Sequence, residues 1–533
     1  HTIRFLKPRQ VVWQVRHRLT RPPCADVRPA PPLRVRRGEW VEPVAKPVSM
    51  TGPDCFRFLN QNGRIASAEE WNKPGVPKLW LYNLHYFDDL TADRWRDRLQ
   101  WHNALISRWI GENPPGTGNG WEPYPISLRT VNWIKWILAG NEPLIGMADS
   151  LAAQVRLLYA RPEYHLMGNH IWANGKALLF AGVFFDGSEA EQWRRKGLKI
   201  LRTELTEQVL EDGGHFERSP MYHAIFLEDL LDLTNLYHAY GLVPEEVWEC
   251  AISVMRTWLE VMSHPDGEIT LFNDAAFGVA PDWRQLDAYA LRLGLGEKTH
   301  APCSLTRFPE SGYIRCEIGD AVLFVDVAAI GPDYIPGHAH ADTLSFELSL
   351  FGHRVIVDSG TSTYEKDAER QRQRGTAAHN TVTVDREDSS EVWGGFRVAR
   401  RARPFDLKTR EDPRELTVSC AHDGYRRLPG KPVHHRKWRL KANQLQIIDR
   451  VEGRFTEAVA RCHFHPDIEV ALALDGVGTA KMPGGKCFQF RIIKGAPRIV
   501  DSTYHPEFNV SLPCRCLEIV LQNREAELFF TWD

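Results

Sequence analysis

The spacing of apolar residues changes once along the chain, from a helical repeat to an alternating one. Between residue 76 and about residue 300, apolar residues recur three and four positions apart, as in GMADSLAAQVRLLYA and FLEDLLDLTNLYHAYG. From about residue 310 they alternate with polar residues, as in YIRCEIGDAVLFVDVA and KWRLKANQLQIIDRVEG. The pattern predicts a helical half followed by an antiparallel β-sandwich.

Three segments follow from this change of period. Residues 1–75 are predicted to form a basic arm packed on the body, residues 76–300 a helical domain, and residues 301–533 a β-sandwich domain. The first 50 residues carry eleven Lys and Arg against three acidic residues. Such an arm also suits contact with nucleic acid or a membrane surface. Between the helices lie turns rich in Gly, Pro and Asn, long enough to line a cleft.

The overall composition is that of a soluble globular protein. Hydrophobic residues make up 43% of the 533 positions, charged residues 25%, and the formal net charge is −2. Nucleic-acid binders usually have a stronger basic bias, so no nucleic-acid partner is expected, and an acidic ligand needs a local basic site. The 18 Trp residues suit a sugar-binding cleft as well as a large core.

The sequence leaves the compartment open between cytoplasm, periplasm and secretion. No apolar run is long enough for a membrane span, and no signal-peptide core is visible at the N-terminus. The ten cysteines are scattered without a CxxC pair. In a chain of this length we expect buried thiols rather than a disulfide framework. The oligomeric state cannot be deduced.

A first candidate site is the polar trio Gly168-Asn169-His170, which precedes a helical apolar stretch. Backbone donors at a helix start point toward the same place as such side chains, which suits binding of a carboxylate. The alternative is an Asn that caps the helix and a His in the core.

A second candidate is Tyr222, which opens the next amphipathic helix together with His223, after a Gly213-Gly214 turn. Arg218 lies nearby in sequence, and a neighbouring positive charge would lower the pKa of the Tyr222 phenol. The alternative is a Tyr packed in the seam between helices.

A third candidate is the segment His338-Ala339-His340-Ala341-Asp342, at the entry to a strand. Two His residues at i and i+2 beside an Asp are typical of a metal or catalytic site. With Asp358 and His379 downstream, His340 completes a credible set of nitrogen and oxygen ligands. A hydrogen-bonded His/Asp network without a metal is the alternative.

Arginines cluster after this segment, from Arg370 and Arg372 to Arg374, and again from Arg397 beside Trp393. Guanidinium forks suit carboxylate and sulfate groups, although an exposed basic loop has the same pattern.

Paired carboxylates for glycoside hydrolysis are not excluded. Glu122, Asp212, Glu217 and Asp274 all lie in turn regions, and nothing in the sequence singles out two of them.

Taken together, these segments resemble the heparinase II/III-like family of polysaccharide lyases. The matching segments run in family order from about residue 80 to residue 400: LYNLHYFDDL, NGWEPYPISLRTVNWIKW, GNHIWANGKAL, GGHFERSPMYH, HAHADTLSFEL, VIVDSGTSTY and AAHNTVTVD. The resemblance implies an α+β multidomain chain, with an N-terminal incomplete (α/α) toroid followed by a C-terminal antiparallel β-sandwich.

The resemblance also implies an activity, β-elimination in a uronic-acid-containing polysaccharide to give 4,5-unsaturated products. The first expectation for this acidic polysaccharide substrate is a glycosaminoglycan, such as heparan sulfate, hyaluronan or chondroitin. Alginate or a bacterial exopolysaccharide is the alternative. Two other classes stay open: a glycoside hydrolase on a helical toroid, and a non-catalytic polysaccharide-binding or assembly protein.

Residue roles follow from the positions that match the family. Asn169 resembles the Asn that neutralises the substrate carboxylate, and His170 lies beside it. Tyr222 resembles the catalytic Tyr of the family. His338 resembles the β-domain His that reaches the same cleft. The residues expected to bind substrate are Trp121, Glu122, Tyr124, Arg129, His223, Arg218, Arg374, Trp393 and Arg397.

The resemblance further implies one structural divalent metal and no organic cofactor. His340 and Asp358 resemble two of its ligands, and His379 is the expected third, with His353 as a substitute. Zinc is the first expectation, and manganese or calcium are alternatives.

Overall fold

A computed structural model describes residues 5–19, 25–296 and 303–533. Within them, helices dominate up to Arg292 and strands dominate from Leu305. The helices are α1 Pro8–Leu19, α2 Lys78–Tyr86, α3 Leu99–Glu112, α4 Pro123–Leu138, α5 Met147–Ala160, α6 Gly168–Phe184, α7 Ser188–Gln208, α8 Pro220–Ala239, α9 Glu246–Val261, α10 Trp283–Arg292 and α11 Ala368–Arg374.

The strands fall into a short N-terminal hairpin and a large C-terminal β region. They are β1 Cys55–Phe58, β2 Gln61–Arg64, β3 Leu305–Phe308, β4 Tyr313–Ile318, β5 Ala321–Asp326, β6 Phe346–Leu350, β7 His353–Ile356, β8 Val382–Val384, β9 Val392–Trp393, β10 Arg397–Val398, β11 Pro404–Asp412, β12 Glu415–His422, β13 Val433–Lys441, β14 Gln444–Glu452, β15 Ala458–His463, β16 Glu469–Leu472, β17 Val477–Lys481, β18 Cys487–Lys494, β19 Ala496–Tyr504, β20 Leu512–Val520 and β21 Glu525–Trp532.

The β region contains three larger sheets. Their strand orders are β3-β4-β5-β6-β7, β19-β20-β15-β8 and β11-β12-β13-β14-β21-β18-β17-β16. The strand pairs in these sheets are antiparallel. Strand β14 shows why the alternating pattern is a reliable signal, because it buries Leu445, Ile447 and Val451 on one face. Helices followed by antiparallel sheets confirm the predicted fold class.

Helices α6 and α7 pack closely because glycines face the contact. A Cβ on Gly197 of α7 would lie 2.6 Å from the backbone nitrogen of Leu179, and one on Gly182 of α6 would lie 2.3 Å from that of Arg194. The helical core is rich in tryptophan, and Trp71, Trp109 and Trp133 are among its fully buried members. None of the described helices is both long and apolar enough to cross a bilayer.

Helix α1 bridges the helical and β regions. The Lys7 ammonium, just before the helix, pairs with Glu207 at the end of α7 and lies 3.9 Å from the ring centre of Tyr334, in the loop before His338. Gln10 Nε2 donates to the Tyr334 carbonyl oxygen at 3.3 Å. We call this set of contacts the α1 bridge.

The turn between β1 and β2 forms a second bridge, at a different part of the molecule. Asn60 Nδ2 donates to Glu507 Oε2 at 2.8 Å and to the Phe508 carbonyl at 3.1 Å. Gln61 Nε2 donates to Asn509 Oδ1 at 3.0 Å. The N-terminal arm therefore packs on both halves.

Candidate functional site

A cleft of about 1290 Å³ lies between the helical and β regions. The starts of the helices α4, α6 and α8 form its helical side, and the loops after β5 and β7 form its β side. Both bridges contribute to its rim. The polar residues at its centre include Tyr124, Asn169, His170, Glu217, Tyr222, His338 and Tyr364.

Asn169 and His170 lie in the first turn of α6, as the sequence indicated. Gly168 opens this helix with a left-handed backbone, φ +56°. Gln208 Nε2 donates to the Gly168 carbonyl at 3.1 Å and so ties the helix start to α7. Both side chains line the cleft beside the free backbone donors of the helix, which is a suitable place for a carboxylate.

His170 is paired with a buried carboxylate. Its Nδ1 lies 3.2 Å from Glu163 Oε1, and Glu163 also accepts a hydrogen bond from Asn174 Nδ2 at 3.1 Å. Burial alone would lower the pKa of His170, but the charge of Glu163 outweighs it and raises that pKa. The Tyr124 ring lies 4.5 Å away, between ring centres. His170 can therefore carry positive charge within reach of an acidic sugar.

Tyr222 lies in the first turn of α8. Ser219 Oγ caps the helix by accepting from the Tyr222 backbone N–H at 3.3 Å. The Tyr222 hydroxyl is 3.2 Å from the Tyr364 hydroxyl. Burial, together with Tyr364, raises the pKa of Tyr222 well above its ordinary value. The phenol is therefore protonated in the free cleft, ready to donate a proton.

His338 lies flat against Tyr222. The two rings are stacked with centres 4.0 Å apart and planes 6° from parallel. His338 Nδ1 lies 2.5 Å from Glu217 Oε2, and this contact crosses the boundary between the helical and β regions. Burial alone would raise the pKa of the Glu217 carboxyl, but His338 lowers it. The predicted residues Asn169, His170, Tyr222 and His338 are thus brought to one cleft.

The expectation that Arg218 lowers the pKa of Tyr222 is wrong. The Arg218 guanidinium donates to the carbonyl oxygens of Ala329 and Glu310 and does not line the cleft. Residue 218 has a left-handed backbone, φ +59°, which turns its side chain toward the β region and away from Tyr222. Arg218 therefore anchors a loop and is not placed to bind substrate.

Three of the nine predicted substrate-binding residues line the cleft: Tyr124, Trp393 and Arg397. The last two lie on the short hairpin β9–β10, where the Arg397 guanidinium carbon is 4.8 Å from the Trp393 ring centre. Trp393 is 42% exposed, which is unusual for so large an apolar side chain. An exposed aromatic face beside a cation suits an acidic sugar.

Two other predicted binding residues are buried near the start of α4. Trp121 Nε1 donates to the Asn113 carbonyl at 3.2 Å. Arg129 is fully buried and donates to the Gly120 carbonyl at 2.7 Å and to Gln154 Oε1 at 2.9 Å. Because their polar groups are satisfied inside the protein, both have structural roles, which corrects the prediction.

The remaining three predicted binding residues also lie outside the cleft lining. Glu122 pairs with Lys78 at 2.9 Å. His223 is buried with Nε2 2.9 Å from the Met255 carbonyl oxygen. Arg374 is buried and donates to the Ala339 carbonyl at 2.8 Å, so it supports the segment that carries His338. The contacts of these three residues are thus with other parts of the protein, and their side chains do not line the cleft.

The predicted metal ligands lie together behind the cleft wall. His379 Nδ1 is 2.7 Å from Asp358 Oδ2, and the rings of His340 and His379 are 5.2 Å apart between centres. Two buried nitrogens here, His340 Nδ1 and His379 Nε2, have no hydrogen-bond partner among the described residues, nor does Asp342 Oδ2. Across residues 5–19, 25–296 and 303–533, no group of three or more His, Cys, Asp or Glu side chains is positioned to hold a metal ion. The donor chemistry fits a divalent metal, whereas the present side-chain arrangement is a hydrogen-bonded one.

The same cleft is also lined by lysines that are already neutralised. Lys176 Nζ contacts Asp232 Oδ2 at 2.6 Å and Asp229 Oδ1 at 2.5 Å. Lys135 Nζ contacts the same Asp232 at 2.5 Å, and Lys46 pairs with Glu228 at 2.6 Å. This part of the cleft is therefore not a basic groove, and a bound carboxylate depends on the helix start of α6 and on His170.

Sequence reasoning missed Glu163, Glu217 and Tyr364. Glu217 was considered only as one of several carboxylates for hydrolysis, and Tyr364 only as part of a matching segment. The one sequence signal for Glu217 is its position between the Gly213-Gly214 turn and the helix that carries Tyr222.

Comparison with known proteins gives two family models that match this chain. "Heparinase II/III N-terminus" matches residues 139–288, and "Heparinase II/III-like, C-terminal" matches residues 301–528.

Three curated relatives match parts of the chain. The heparin-sulfate lyase of Bacteroides stercoris is 29% identical over 43% of this chain and 37% of its own length. The heparin-sulfate lyase of Pedobacter heparinus is 27% identical over 53% of this chain and 47% of its own length. FtsZ-localized protein C of Caulobacter vibrioides is 26% identical over 56% of this chain and 53% of its own length. The matches span less than two thirds of each relative's length.

Solved structures share the fold. A crystal structure of heparinase III has a TM-score of 0.68 at 17% identity, covering 89% of this chain and 78% of that one. A mutant heparan sulfate lyase from Pedobacter heparinus has a TM-score of 0.61 at 16% identity, covering 98% and 88%. At such identities the likeness shows the architecture alone, and the order of helices and sheets described above matches it.

Proposed function

This chain belongs to the heparinase II/III-like family, and from that premise we propose that it is a polysaccharide lyase. The proposed substrate is a uronic-acid-containing polysaccharide. A glycosaminoglycan is the first choice, and alginate or a bacterial exopolysaccharide is the alternative. The observation that carries the proposal is the meeting of Asn169, His170, Tyr222 and His338 in one cleft, although they come from separate segments of the chain.

β-Elimination begins with the uronate carboxylate. Its charge must be neutralised so that the proton on C5 becomes acidic enough to leave. Asn169 and the helix start of α6 supply hydrogen-bond donors, and His170 supplies positive charge supported by Glu163. These interactions strengthen as charge develops in the enolate-like transition state, which is where they accelerate the reaction.

Two groups then move protons. The base takes the C5 proton, the C4–O4 bond breaks as the C4–C5 double bond forms, and the leaving oxygen takes a proton from the acid. Tyr222 is a protonated phenol in the free cleft, which suits it for the acid role. His338, stacked on Tyr222 at 4.0 Å, is the proposed base, mainly for one C5 epimer. For the other epimer, Tyr222 would serve both roles in turn, which requires that bound substrate first lowers the pKa of its phenol.

A structural divalent metal is part of the proposal. His340, Asp358 and His379 would hold it, supported by the two buried ring nitrogens without partners. Such an ion would brace the wall that carries His338. Purified protein should contain about one equivalent of metal by elemental analysis, and His379→Ala should lose it. Metal-free protein in both samples would contradict the proposal.

A non-catalytic polysaccharide-binding role is the second candidate. One specific observation favours it, the match to a relative named for its localisation with FtsZ rather than for a reaction. Binding alone does not require a stacked Tyr–His pair, and this pair favours the lyase.

The test is ultraviolet absorbance during incubation with heparan sulfate, hyaluronan, chondroitin sulfate or alginate, each separately. We expect absorbance to rise with at least one polymer, because elimination creates a conjugated double bond. Asn169→Ala should bind that polymer but slow the rise by about 100-fold, since it removes a donor that acts in the transition state. Binding without any rise would favour the second candidate.

A further inference from the structure

Glu217 is a buried carboxylate that the reaction described above does not use. It is 2% exposed and lines the cleft. Its Oε2 approaches His338 Nδ1 at 2.5 Å, outside the direction of a good hydrogen bond, and its Oε1 has no hydrogen-bond partner. A buried carboxylate is costly unless it is paired, so the contact with His338 has to compensate for it.

We propose that Glu217 is a positioning residue, which holds the His338 imidazole against Tyr222 and fixes which ring nitrogen faces the substrate. A carboxylate beside Nδ1 keeps a proton on that nitrogen, and Nε2 is then the nitrogen that accepts the C5 proton. The inference rests on the proposed lyase function and adds to it the residue that orients the base.

The backbone and ring of His338 are constrained from three directions. Its carbonyl oxygen accepts from the Asp274 N–H at 3.0 Å, its ring lies on Tyr222, and Glu217 approaches the edge of the ring. The first contact fixes where the residue sits and the second fixes the plane of the ring. Of these three contacts, only the one with Glu217 distinguishes Nδ1 from Nε2, so it sets the orientation of the imidazole within that plane.

Glu217 is itself held in place by the next residue. The Arg218 carbonyl accepts hydrogen bonds from Tyr313 Oη at 2.7 Å and from Asn273 Nδ2 at 3.0 Å. The Arg218 side chain is anchored to the carbonyl oxygens of Ala329 and Glu310. The loop is therefore anchored mainly to the β region, through Tyr313, Ala329 and Glu310. Free-enzyme contacts of this kind often become better aligned when substrate binds.

The first test is kinetic, on a polymer that the wild type cleaves. Glu217→Gln keeps the shape but removes the charge, and we expect kcat to fall by about 10–100-fold with KM nearly unchanged. Glu217→Asp should recover part of the loss. The matched control is Glu347→Gln, because Glu347 forms a buried pair with His264 at 3.0 Å away from the cleft. This control should keep the wild-type kcat, and an unaltered kcat in Glu217→Gln would overturn the proposal.

A double-mutant comparison separates positioning from general damage. If Glu217 acts through His338, the double variant with Glu217→Gln and His338→Ala should be no slower than His338→Ala alone. Losses that multiply would show that Glu217 acts by another route, and the proposal would be withdrawn.

A crystal structure of Glu217→Gln gives a readout that does not need activity. We expect the His338 ring to rotate or to leave its stacked position on Tyr222. A ring that keeps the wild-type stacking and orientation overturns the inference. If the wild type eliminates none of the polymers, the lyase function fails, while this structural comparison still decides the role of Glu217.

Discussion

At the scale of single residues, buried neighbours shift the pKa values of the groups proposed to act in catalysis. Burial beside Tyr364 raises the pKa of Tyr222 well above its ordinary value, and the charge of Glu163 raises the pKa of His170. Both shifts favour the protonated form, which is a neutral proton donor for Tyr222 and a positive charge for His170. This division suits a reaction that needs a proton donor and a positive charge in one cleft.

The pKa of His170 leads to a prediction for the pH dependence. Since Glu163 raises the pKa of His170 above the ordinary value of 6.5, the imidazolium persists above pH 6.5 and is lost as pH rises through the folded-state pKa. If His170 helps to neutralise the substrate carboxylate, kcat/KM should fall along that limb. Glu163→Gln should move the fall to lower pH, as measured by initial rates across pH 5–9.

Glu347→Gln serves as the control for that experiment, because its His partner is remote from the cleft. Its pH profile should match that of the wild type. A Glu163→Gln profile that also matches the wild type would contradict the proposed role of His170.

The sequence could locate Asn169, Tyr222 and His338 because each lies in a short polar motif beside a helix or strand start. It could not locate Glu163 or Glu217 as partners, because the burial of a carboxylate against a distant His is a tertiary property. The same reason explains the errors at Arg129 and Arg374. An arginine fork has the same appearance in sequence whether it is free or bonded to buried carbonyl oxygens.

At the scale of elements, the close packing of α6 and α7 holds the helix that carries Asn169. Glycines allow this approach, since a Cβ on Gly197 would lie 2.8 Å from the Gly175 carbonyl oxygen and 2.6 Å from Leu179 N. Both clashing atoms are backbone, which cannot move aside cheaply. The start of α6 therefore depends on a contact that lies about two to three turns away along the helix.

Gly197→Ala should destabilise the protein by about 1–3 kcal/mol and lower its Tm, because the added methyl forces the helices apart. Gly111→Ala is the control, since nothing lies within 4 Å of a Cβ at that helical position. The control should be neutral or stabilising by up to about 1 kcal/mol. Equal thermal unfolding of the two variants, measured by calorimetry, would contradict this account of the packing.

The periodicity of the sequence predicted most of these elements, but not the order of the strands. In the largest sheet, β14 pairs with β21, near the end of the chain, and β18 lies on the other side of β21. Alternation identifies which residues of a strand face the core, whereas the choice of a distant partner depends on the whole sandwich.

At the scale of the whole molecule, the N-terminal arm links the two halves around the cleft. Within the described residues, the α1 bridge contacts α7 and the loop before His338, and the hairpin turn contacts the loop after β19. The basic character of the arm had suggested other partners, but its Lys7 is used inside the molecule. The separation of the cleft walls is therefore tied to the arm.

Weakening the α1 bridge should loosen the wall that carries His338. In a variant with Lys7→Ala and Trp13→Ala, Lys7 loses its ion pair with Glu207 and its cation–π contact with Tyr334, the latter worth about 0.5–2 kcal/mol. The Trp13 ring of α1 also loses its contact with the Tyr164 ring. Hydrogen exchange should become faster in residues 334–338 and stay unchanged in the large sheet.

Lys481→Ala removes an exposed ion pair with Glu469 on that sheet and serves as the control. It should leave exchange in residues 334–338 as in the wild type. If residues 334–338 exchange as slowly in the Lys7→Ala, Trp13→Ala variant as in the wild type, the arm does not hold the cleft wall that carries His338.

The central claim is that this cleft performs β-elimination with Tyr222 as a proton-transfer group. The most direct measurement follows the absorbance of unsaturated products from the best polymer, with wild type and Tyr222→Phe side by side and products identified by mass spectrometry. We predict unsaturated ends from the wild type, and a rate about 10²–10⁴-fold lower for Tyr222→Phe, since only the hydroxyl is removed. Saturated products, or a full rate of elimination in Tyr222→Phe, would contradict the claim.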